Sequence, residues 1–255
     1  MKRLAVAFII VITALSLLGC NSGKIVSTVR SPEDVAGKDI GVFAGTSSFR
    51  YAHEAGAAHS YISAAAMMED LTTGVLDCVL AEKHTSGALT AKVSGVKVID
   101  EPLVSEPMHF AVAKENADLT RAINAALKTM SENGTLKGLL DKYIRGKEYS
   151  YTPPADTTKT GTLTLAIPED FPPYSYINQN GEYSGLDIEI ARAVCDIIGT
   201  ELVVTECAFD ELVTIVWYGK ADFALGGLHG SEADRELVDF SDSYAEMIQV
   251  IIIRK

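Results

Sequence analysis

The chain has 255 residues, of which 47% are hydrophobic, and 22 Lys and Arg stand against 34 Asp and Glu for a formal net charge of -12. This apolar content is too high for an intrinsically disordered chain, and the acidic balance argues against a nucleic-acid partner, which would need a basic face. A globular protein of one or two domains remains, because length alone does not separate these two possibilities.

The first 19 residues have the features of a secretory signal peptide. A positively charged start precedes the uncharged run 4–18, which is shorter than the roughly 20 residues of a membrane-spanning helix. Leu17-Leu18-Gly19-Cys20 resembles a bacterial lipobox, whose cysteine becomes the lipidated first residue of the mature protein. The sequence therefore predicts removal of residues 1–19, a membrane anchor on Cys20 and a polar tether over 20–32. A retained anchor helix is the alternative.

Beyond the tether, short β-branched runs alternate with amphipathic segments. The first series predicts strands at 40–43, 75–80, 96–99 and 109–113 and helices at 49–55, 64–72, 85–93, 119–130 and 136–144. The second series predicts strands at 163–167, 202–205, 223–225 and 250–253 and helices at 186–198 and 212–218. The segment 146–161 between them contains Pro153-Pro154, lacks apolar periodicity and is interpreted as a linker. This alternation predicts an α/β fold with parallel sheets covered by helices.

Three cysteines follow Cys20, so they cannot all pair within one chain. Cys78 lies in an apolar run and is expected to be a buried thiol. Cys195 and Cys207 could form a disulfide in an oxidising compartment, and the sequence leaves this pairing open.

Four motifs of the second series occur in a characteristic order: Phe171-Pro172-Pro173-Tyr174-Ser175-Tyr176, Gly185-Leu186-Asp187-Ile188-Glu189, Gly219-Lys220-Ala221-Asp222, and Val238-Asp239-Phe240-Ser241-Asp242-Ser243-Tyr244. With these motifs, residues 162–255 resemble the opening half of the bacterial extracellular solute-binding proteins of family 3. These are type II periplasmic binding proteins, typical of ABC importers for polar amino acids.

Residues 33–145 are similar to the closing half of the same family. The similarity rests on Asp34-Val35-Ala36-Gly37-Lys38, Gly45-Thr46-Ser47, the segments 71–77 and 109–114, Asn133-Gly134-Thr135 and Asp141-Lys142-Tyr143. Since the closing half precedes the opening half, the chain resembles a circular permutant, with two truncated fragments in tandem as the alternative.

The resemblance implies two α/β lobes around a ligand cleft. The smaller lobe is expected over 33–104, and the larger lobe combines 107–145 with 162–248. The segment 146–161 would link the two parts of the larger lobe, and 249–255 would form a hinge strand.

The resemblance also implies ligand-binding positions in both lobes. Phe171 and Phe209 fall where the family places aromatic walls, and Gly226, Gly227, Leu228 and Ser231 match further positions of the larger lobe. In the smaller lobe, Gly45-Thr46-Ser47 opens a helix whose N-terminus suits an anion. Glu82 stands where the family usually has an aspartate for the ligand's amino group. Each residue also has a purely structural interpretation, as core aromatic, helix cap or solvated carboxylate.

The carboxylate-binding part of the larger lobe departs from the family pattern. His229 stands at a usual threonine, and Asp234 stands at the arginine that usually binds the carboxylate. Arg235 is one residue further on and could take over this role. If Arg235 points to solvent instead, Asp234 and Glu82 would favour a cationic ligand.

The resulting hypothesis is a lipid-anchored extracytoplasmic receptor that binds a small polar molecule, an amino acid, and delivers it to an ABC transporter permease. No catalytic motif occurs, the five histidines are scattered, and neither a cofactor nor a metal is expected. Two alternatives share the same fold. One is an enzyme like cyclohexadienyl dehydratase, with His229, Asp234 and Glu82 as an acid–base set. The other is a ligand sensor for a membrane receptor.

Overall fold

The smaller lobe contains one sheet with helices on its faces. The structure is a computed structural model that describes residues 26–44, 46–155, 158–168 and 171–255. The strands of this lobe are β1 (Asp39–Phe43), β2 (Ala57–Tyr61), β3 (Cys78–Glu82), β4 (Val96–Val98) and part of β13 (Ala245–Arg254), and its helices are α1 (Ser48–Ala55), α2 (Ala64–Thr73) and α3 (Lys83–Ala91). The sheet order is β2-β1-β3-β13-β4, in which β1 is parallel to β2 and β3, and β13 is antiparallel to β3 and β4.

The larger lobe contains a second sheet of the same design. Its strands are β6 (Ala111–Ala113), β7 (Thr162–Pro168), β10 (Glu201–Cys207), β11 (Phe223–Ala224) and β12 (Val238–Phe240), and its helices are α4 (Ala117–Glu132), α5 (Thr135–Arg145), α6 (Leu186–Ile198), α7 (Leu212–Trp217) and α8 (Glu232–Leu237). The order is β10-β7-β11-β6-β12, with β6 antiparallel to both of its neighbours. A small hairpin pairs β8 (Tyr176–Ile177) with β9 (Tyr183–Ser184).

The two sheets have equivalent strand orders, and in each the fourth position is taken by an antiparallel strand that comes from the other half of the chain. β13 at the end of the chain completes the smaller lobe, and β6 from the first half completes the larger lobe. This arrangement confirms the α/β fold with two lobes that the resemblance to type II periplasmic binding proteins implied.

Two strands connect the lobes. β5 (Val104–Met108) leaves the smaller lobe, and the first half of β13 leaves the larger lobe. They pair antiparallel from Ala245 opposite Met108 to Gln249 opposite Val104. These two paired segments, 104–108 and 245–249, are called the hinge. Because they lie side by side, bending of this ribbon would change the angle between the lobes.

The apolar pattern accounts for the helices of the larger lobe. The helix predicted over 119–130 places five apolar residues on one buried face of α4, namely Leu119, Ile123, Ala126, Leu127 and Met130. They lie on the face of α4 that packs against α5 and α6. Gly134 separates α4 from α5 and adopts a left-handed conformation with φ of 81°.

Two strands of the smaller lobe and hinge were not predicted, and a third begins later than predicted. β2 reads Ala-Ala-His-Ser-Tyr and is mostly exposed, so it depends on its pairing with β1 rather than on strand propensity. β5 contains Pro107 and pairs only with β13. The strand predicted from Val75 begins at Cys78, because Val75 is exposed in the turn after α2.

The remaining features concern thiols, helices and the linker. Cys78 and Cys195 carry buried, free thiols, so the disulfide between Cys195 and Cys207 is not formed. Burial raises the pKa of Cys78 to about 12 and that of Cys195 to about 11.

Within the described ranges, no helix has both the length and the apolar character of a bilayer span. The described part of 146–161 lies on the larger lobe, where Lys159 forms an ion pair with Asp196 at 3.0 Å.

Candidate functional site

A cavity of about 310 Å³ lies between the two lobes. The smaller lobe contributes the start of α1, the larger lobe contributes the end of β7 and residues that follow β7, β10 and β11, and the hinge contributes one methionine. The lining residues are Thr46, Ser47, Phe49, Arg50, Pro168, Phe171, Phe209, Gly226, Gly227 and Met247. A molecule bound here would contact both lobes, so its binding would be coupled to the angle between them.

Aromatic rings form one wall of the cavity. Phe171 is 7% exposed and stacks on Tyr174 with ring centroids 5.0 Å apart and an interplanar angle of 24°. Phe209 follows β10, is 41% exposed, and lies 6.5 Å from Phe171. Phe171 is therefore fixed in the wall, whereas Phe209 stands at the rim with a face open to a ligand.

Two glycines keep a second part of the cavity wall free of side chains. Gly226 and Gly227 have φ values of 137° and 73°, which L-residues rarely adopt. A Cβ atom at Gly226 would lie 2.6 Å from Cδ of Pro168, and one at Gly227 would lie 3.5 Å from the ring of Phe171. The backbone after β11 can thus approach a ligand directly.

Arg50 is a charged residue of the lining that the sequence analysis did not single out. Its guanidinium carbon lies 4.5 Å from the ring centroid of Tyr51 in the same lobe and 5.8 Å from that of Phe209 in the other lobe. Arg50 also forms an ion pair with Glu106 of β5 at 3.6 Å. Tyr51 donates a hydrogen bond to the same carboxylate at 2.7 Å, so the arginine is held by the hinge.

Glu82 does not line this cavity but lies directly behind its wall. The side chain is buried, and Oε1 accepts a hydrogen bond from Ser47 Oγ at 2.6 Å. Oε2 accepts one from Tyr174 OH at 3.2 Å and lies 3.3 Å from Nδ1 of His84. Since Tyr174 belongs to the larger lobe, this carboxylate joins the two lobes.

Burial and charge act on the groups around Glu82. Burial lowers the pKa of His84, while the neighbouring carboxylate acts in the opposite direction. Burial next to Glu82 raises the pKa of Tyr174 well above its usual value, which keeps the phenol a hydrogen-bond donor. Gln249 of β13 donates to Ser47 Oγ at 2.8 Å and thereby extends the network to the hinge.

A buried acid supports the loop that carries Phe171 and Tyr174. Asp187 is fully buried in the first turn of α6, and its backbone N–H donates to the carbonyl of Tyr174 at 2.8 Å. Oδ1 accepts a hydrogen bond from Tyr244 OH at 2.7 Å, whereas Oδ2 has no hydrogen-bond partner among the described residues. Burial raises the pKa of Asp187 to about 7, and the hydrogen bond from Tyr244 opposes this shift.

The structure brings six of the predicted site residues to the cavity: Thr46, Ser47, Phe171, Phe209, Gly226 and Gly227. Leu228 instead packs into the core of the larger lobe, and Ser231 caps α8 by accepting the N–H of Asp234 at 3.2 Å. Arg235 is turned away, because Nε donates to the carbonyl of Gly230 at 2.8 Å and the guanidinium lies 5.1 Å from the Phe240 ring. Gly45, the predicted lipidation site Cys20, and Glu169 and Asp170, which precede Phe171 in the sequence, lie outside the described residues.

The acid–base set considered from the sequence is not assembled in the described part of the chain. Asp234 is bound by Ser231 Oγ at 2.7 Å, and Glu82 is occupied by Ser47, Tyr174 and His84. Within the described structure, His229 forms no hydrogen bond or ion pair with either acid. Among the described residues, no group of three or more His, Cys, Asp and Glu side chains is arranged to hold a metal ion.

Comparison with known proteins points to one family. Residues 163–255 match the family described as bacterial extracellular solute-binding proteins, family 3. The chain is 29% identical over 93 residues to ABC transporter arginine-binding protein 1 of Escherichia coli (strain K12), which covers 36% of this chain and 38% of that protein. It is also 29% identical over 70 residues to cyclohexadienyl dehydratase of Pseudomonas aeruginosa, covering 28% of this chain and 26% of the enzyme.

Among solved structures, the arginine-bound form of domain 1 from TmArgBP has 27% sequence identity and a TM-score of 0.32. This match covers 37% of the present chain and 81% of that one. Each of the two curated relatives is thus matched over well under half of its length. The family match over 163–255 includes the residues that supply the aromatic wall and the two cavity glycines.

Proposed function

We propose that this chain, whose residues 163–255 match the bacterial extracellular solute-binding proteins of family 3, binds a single small solute, an amino acid, between its lobes. The observation that carries the proposal is the cavity of about 310 Å³ whose lining comes from both lobes and the hinge. This volume is at the lower end of the roughly 300–1,000 Å³ of small-molecule pockets. The site therefore suits a molecule of amino-acid size rather than a peptide.

The proposed mechanism couples binding to the angle between the lobes. A ligand on Phe171 and Gly227 of the larger lobe also meets Thr46 and Ser47 of the smaller lobe, so it stabilises the closed arrangement in which both contacts exist. The hydrogen bond from Tyr174 to Glu82 acts in the same direction, because it too joins the lobes. In this proposal Glu82 positions Ser47 rather than touching the ligand.

Delivery to an ABC importer completes the proposed role. The arginine-binding relative is named as part of an ABC transporter, which supports the same partnership here. Cys20, at the end of the lipobox-like motif, would hold the protein at a membrane by a lipid anchor. We propose no catalytic role for the cleft, because the acids considered for one are engaged with Ser231 and with the network behind Ser47.

The proposal includes a circularly permuted order of segments. Two features support it. The segment 146–161 connects α5 to β7 within one lobe, and the only two passages between lobes in the described chain are β5 and β13. Tyr149 of this segment packs on Gly138 of α5, where a side chain would collide with it. In an unpermuted chain, α5 and β7 would lie at the two ends of the sequence. A permuted chain needs a segment such as 146–161 to join them.

A thermal-shift screen of the twenty L-amino acids tests the proposed function. A ligand present at 100 times its dissociation constant stabilises the folded protein by about 2.7 kcal/mol, which is readily detected. We expect at least one amino acid to raise the unfolding temperature, with calorimetry giving one site per chain. If no amino acid raises that temperature, the proposed ligand class is wrong.

A further inference from the structure

The charge of the cavity lining is the starting point. Among the described residues that line the cavity, Arg50 is the only charged one. The remaining surface is dominated by Phe49, Phe171, Phe209, Pro168 and Met247. The described lining thus presents one positive charge within an apolar, largely aromatic surface.

The guanidinium of Arg50 has unused hydrogen-bond donors. Its hydrogen bond to Tyr51 OH and its ion pair with Glu106 both involve Nη2. Within the described part of the chain, Nη1 and Nε have no recorded partner. Those two nitrogens belong to the planar fork with which arginine binds a carboxylate through two parallel hydrogen bonds.

The position of the fork is fixed before any ligand arrives. The guanidinium carbon lies 4.5 Å from the centroid of the buried Tyr51 ring and 5.8 Å from that of Phe209 in the other lobe. The carboxylate of Glu106, in the hinge strand β5, forms an ion pair with Nη2. Such pre-organisation lowers the entropy lost when a ligand is bound.

The start of α1 supplies a second favourable feature for an anion. The helix begins at Ser48, and among the described residues no side chain caps its N-terminus; Ser47 Oγ donates to Glu82 instead. Arg50 lies in the first turn of this helix, so the helix N-terminus and the guanidinium are close together on the cavity side.

We propose that Arg50 binds the carboxylate of the ligand through Nη1 and Nε, and that the ligand carries this carboxylate on an apolar or aromatic body packed against Phe171 and Phe209. The inference rests on the proposed function and specifies which residue replaces the missing carboxylate-binding arginine of the larger lobe. The sequence analysis offered Arg235 for that role, but its Nε is bonded to Gly230 and it lies outside the cavity lining.

Calorimetry on the full chain separates the two arginines. The probes are L-phenylalanine, L-arginine and 3-phenylpropionate, together with phenethylamine and agmatine, which lack the carboxylate. The variants are Arg50→Gln, Arg50→Lys and Arg235→Gln, with Arg192→Gln as a matched surface control, since Arg192 is paired with Glu189 on its own helix.

We expect the wild type to bind at least one carboxylate probe and neither amine. Arg50→Gln should weaken that binding at least tenfold, Arg50→Lys should recover part of it because it keeps the charge without the fork, and the other two variants should bind as the wild type does. The unliganded unfolding temperature of each variant checks that it is folded.

Three results would overturn the inference. They are wild-type affinity in folded Arg50→Gln, a larger loss in Arg235→Gln than in Arg50→Gln, or equal binding of an amine and its carboxylate counterpart. In each of these cases an amino acid still binds and the proposed function stands. Failure of the wild type to bind any probe or any of the twenty amino acids would instead overturn both.

Discussion

Replacing Asp187 by Asn should make the protein more stable at neutral pH. The carboxyl group is fully buried with one hydrogen bond, from Tyr244, and burial raises its pKa from 3.8 to about 7. The folded protein therefore holds a proton that the unfolded chain releases. The associated stability is complete below about pH 4, is lost progressively as the pH rises towards 7, and is absent above it.

The magnitude follows from the size of the shift. A change of about 3 pKa units at 1.36 kcal/mol per unit corresponds to about 4 kcal/mol. The N-terminus of α6 favours the ionised carboxylate by up to about 1 kcal/mol, so we expect an effect of about 2 to 4 kcal/mol. Asn keeps the shape and can still accept the hydrogen bond from Tyr244, but it does not ionise.

Urea unfolding of both proteins at pH 4.5, 6, 7 and 8 measures this effect. The advantage of the variant in unfolding free energy should be smallest at pH 4.5 and should grow by pH 8 to about 2 to 4 kcal/mol. Equal pH dependence of the two proteins would show that Asp187 is already ionised in the folded state, and the burial argument would then be wrong.

Three further predictions concern other parts of the chain. Gly227→Val should weaken ligand binding at least tenfold in calorimetry, because the side chain enters the cavity from a left-handed backbone position next to Phe171; unchanged affinity would place the ligand elsewhere. Asp141→Asn should have a pH dependence opposite to that of Asp187→Asn, because three cationic neighbours lower the pKa of Asp141. The stability that the variant loses should therefore shrink as the pH falls. A loss that stays constant with pH in urea titrations would contradict this. Cys20→Ser should abolish incorporation of labelled fatty acid in a bacterial host, and retained label would locate the lipid at another residue.

The elements that could be predicted from sequence are those with a strong local pattern. The helix predicted at 186–198 has those bounds as α6, because a glycine precedes it, another ends it, and its apolar face is continuous. β2 and β5 were missed because their own residues favour a strand weakly, and each depends on a partner far away in the chain. Non-local pairing of this kind leaves little trace in a short segment.

The residues of the candidate site also divide into those that the sequence could predict and those that it could not. Gly227 and Phe171 could be predicted because they fall at positions where the chain resembles the family, and both line the cavity. Arg50 could not, because its role depends on the ring of Phe209 in the other lobe, which the chain order does not place beside it. Arg235 was a reasonable candidate by position, yet the acceptor it finds is the backbone of Gly230.

The most direct test of binding between the lobes is calorimetric titration of the tightest-binding amino acid into Phe209→Ala, with Trp217→Ala as an aromatic control. Trp217 is 46% exposed on α7 and is not part of the cavity lining. We expect at least a tenfold increase in Kd for Phe209→Ala, or about 1.4 kcal/mol, and wild-type affinity for Trp217→Ala. Wild-type affinity in Phe209→Ala would contradict a ligand held between the two lobes.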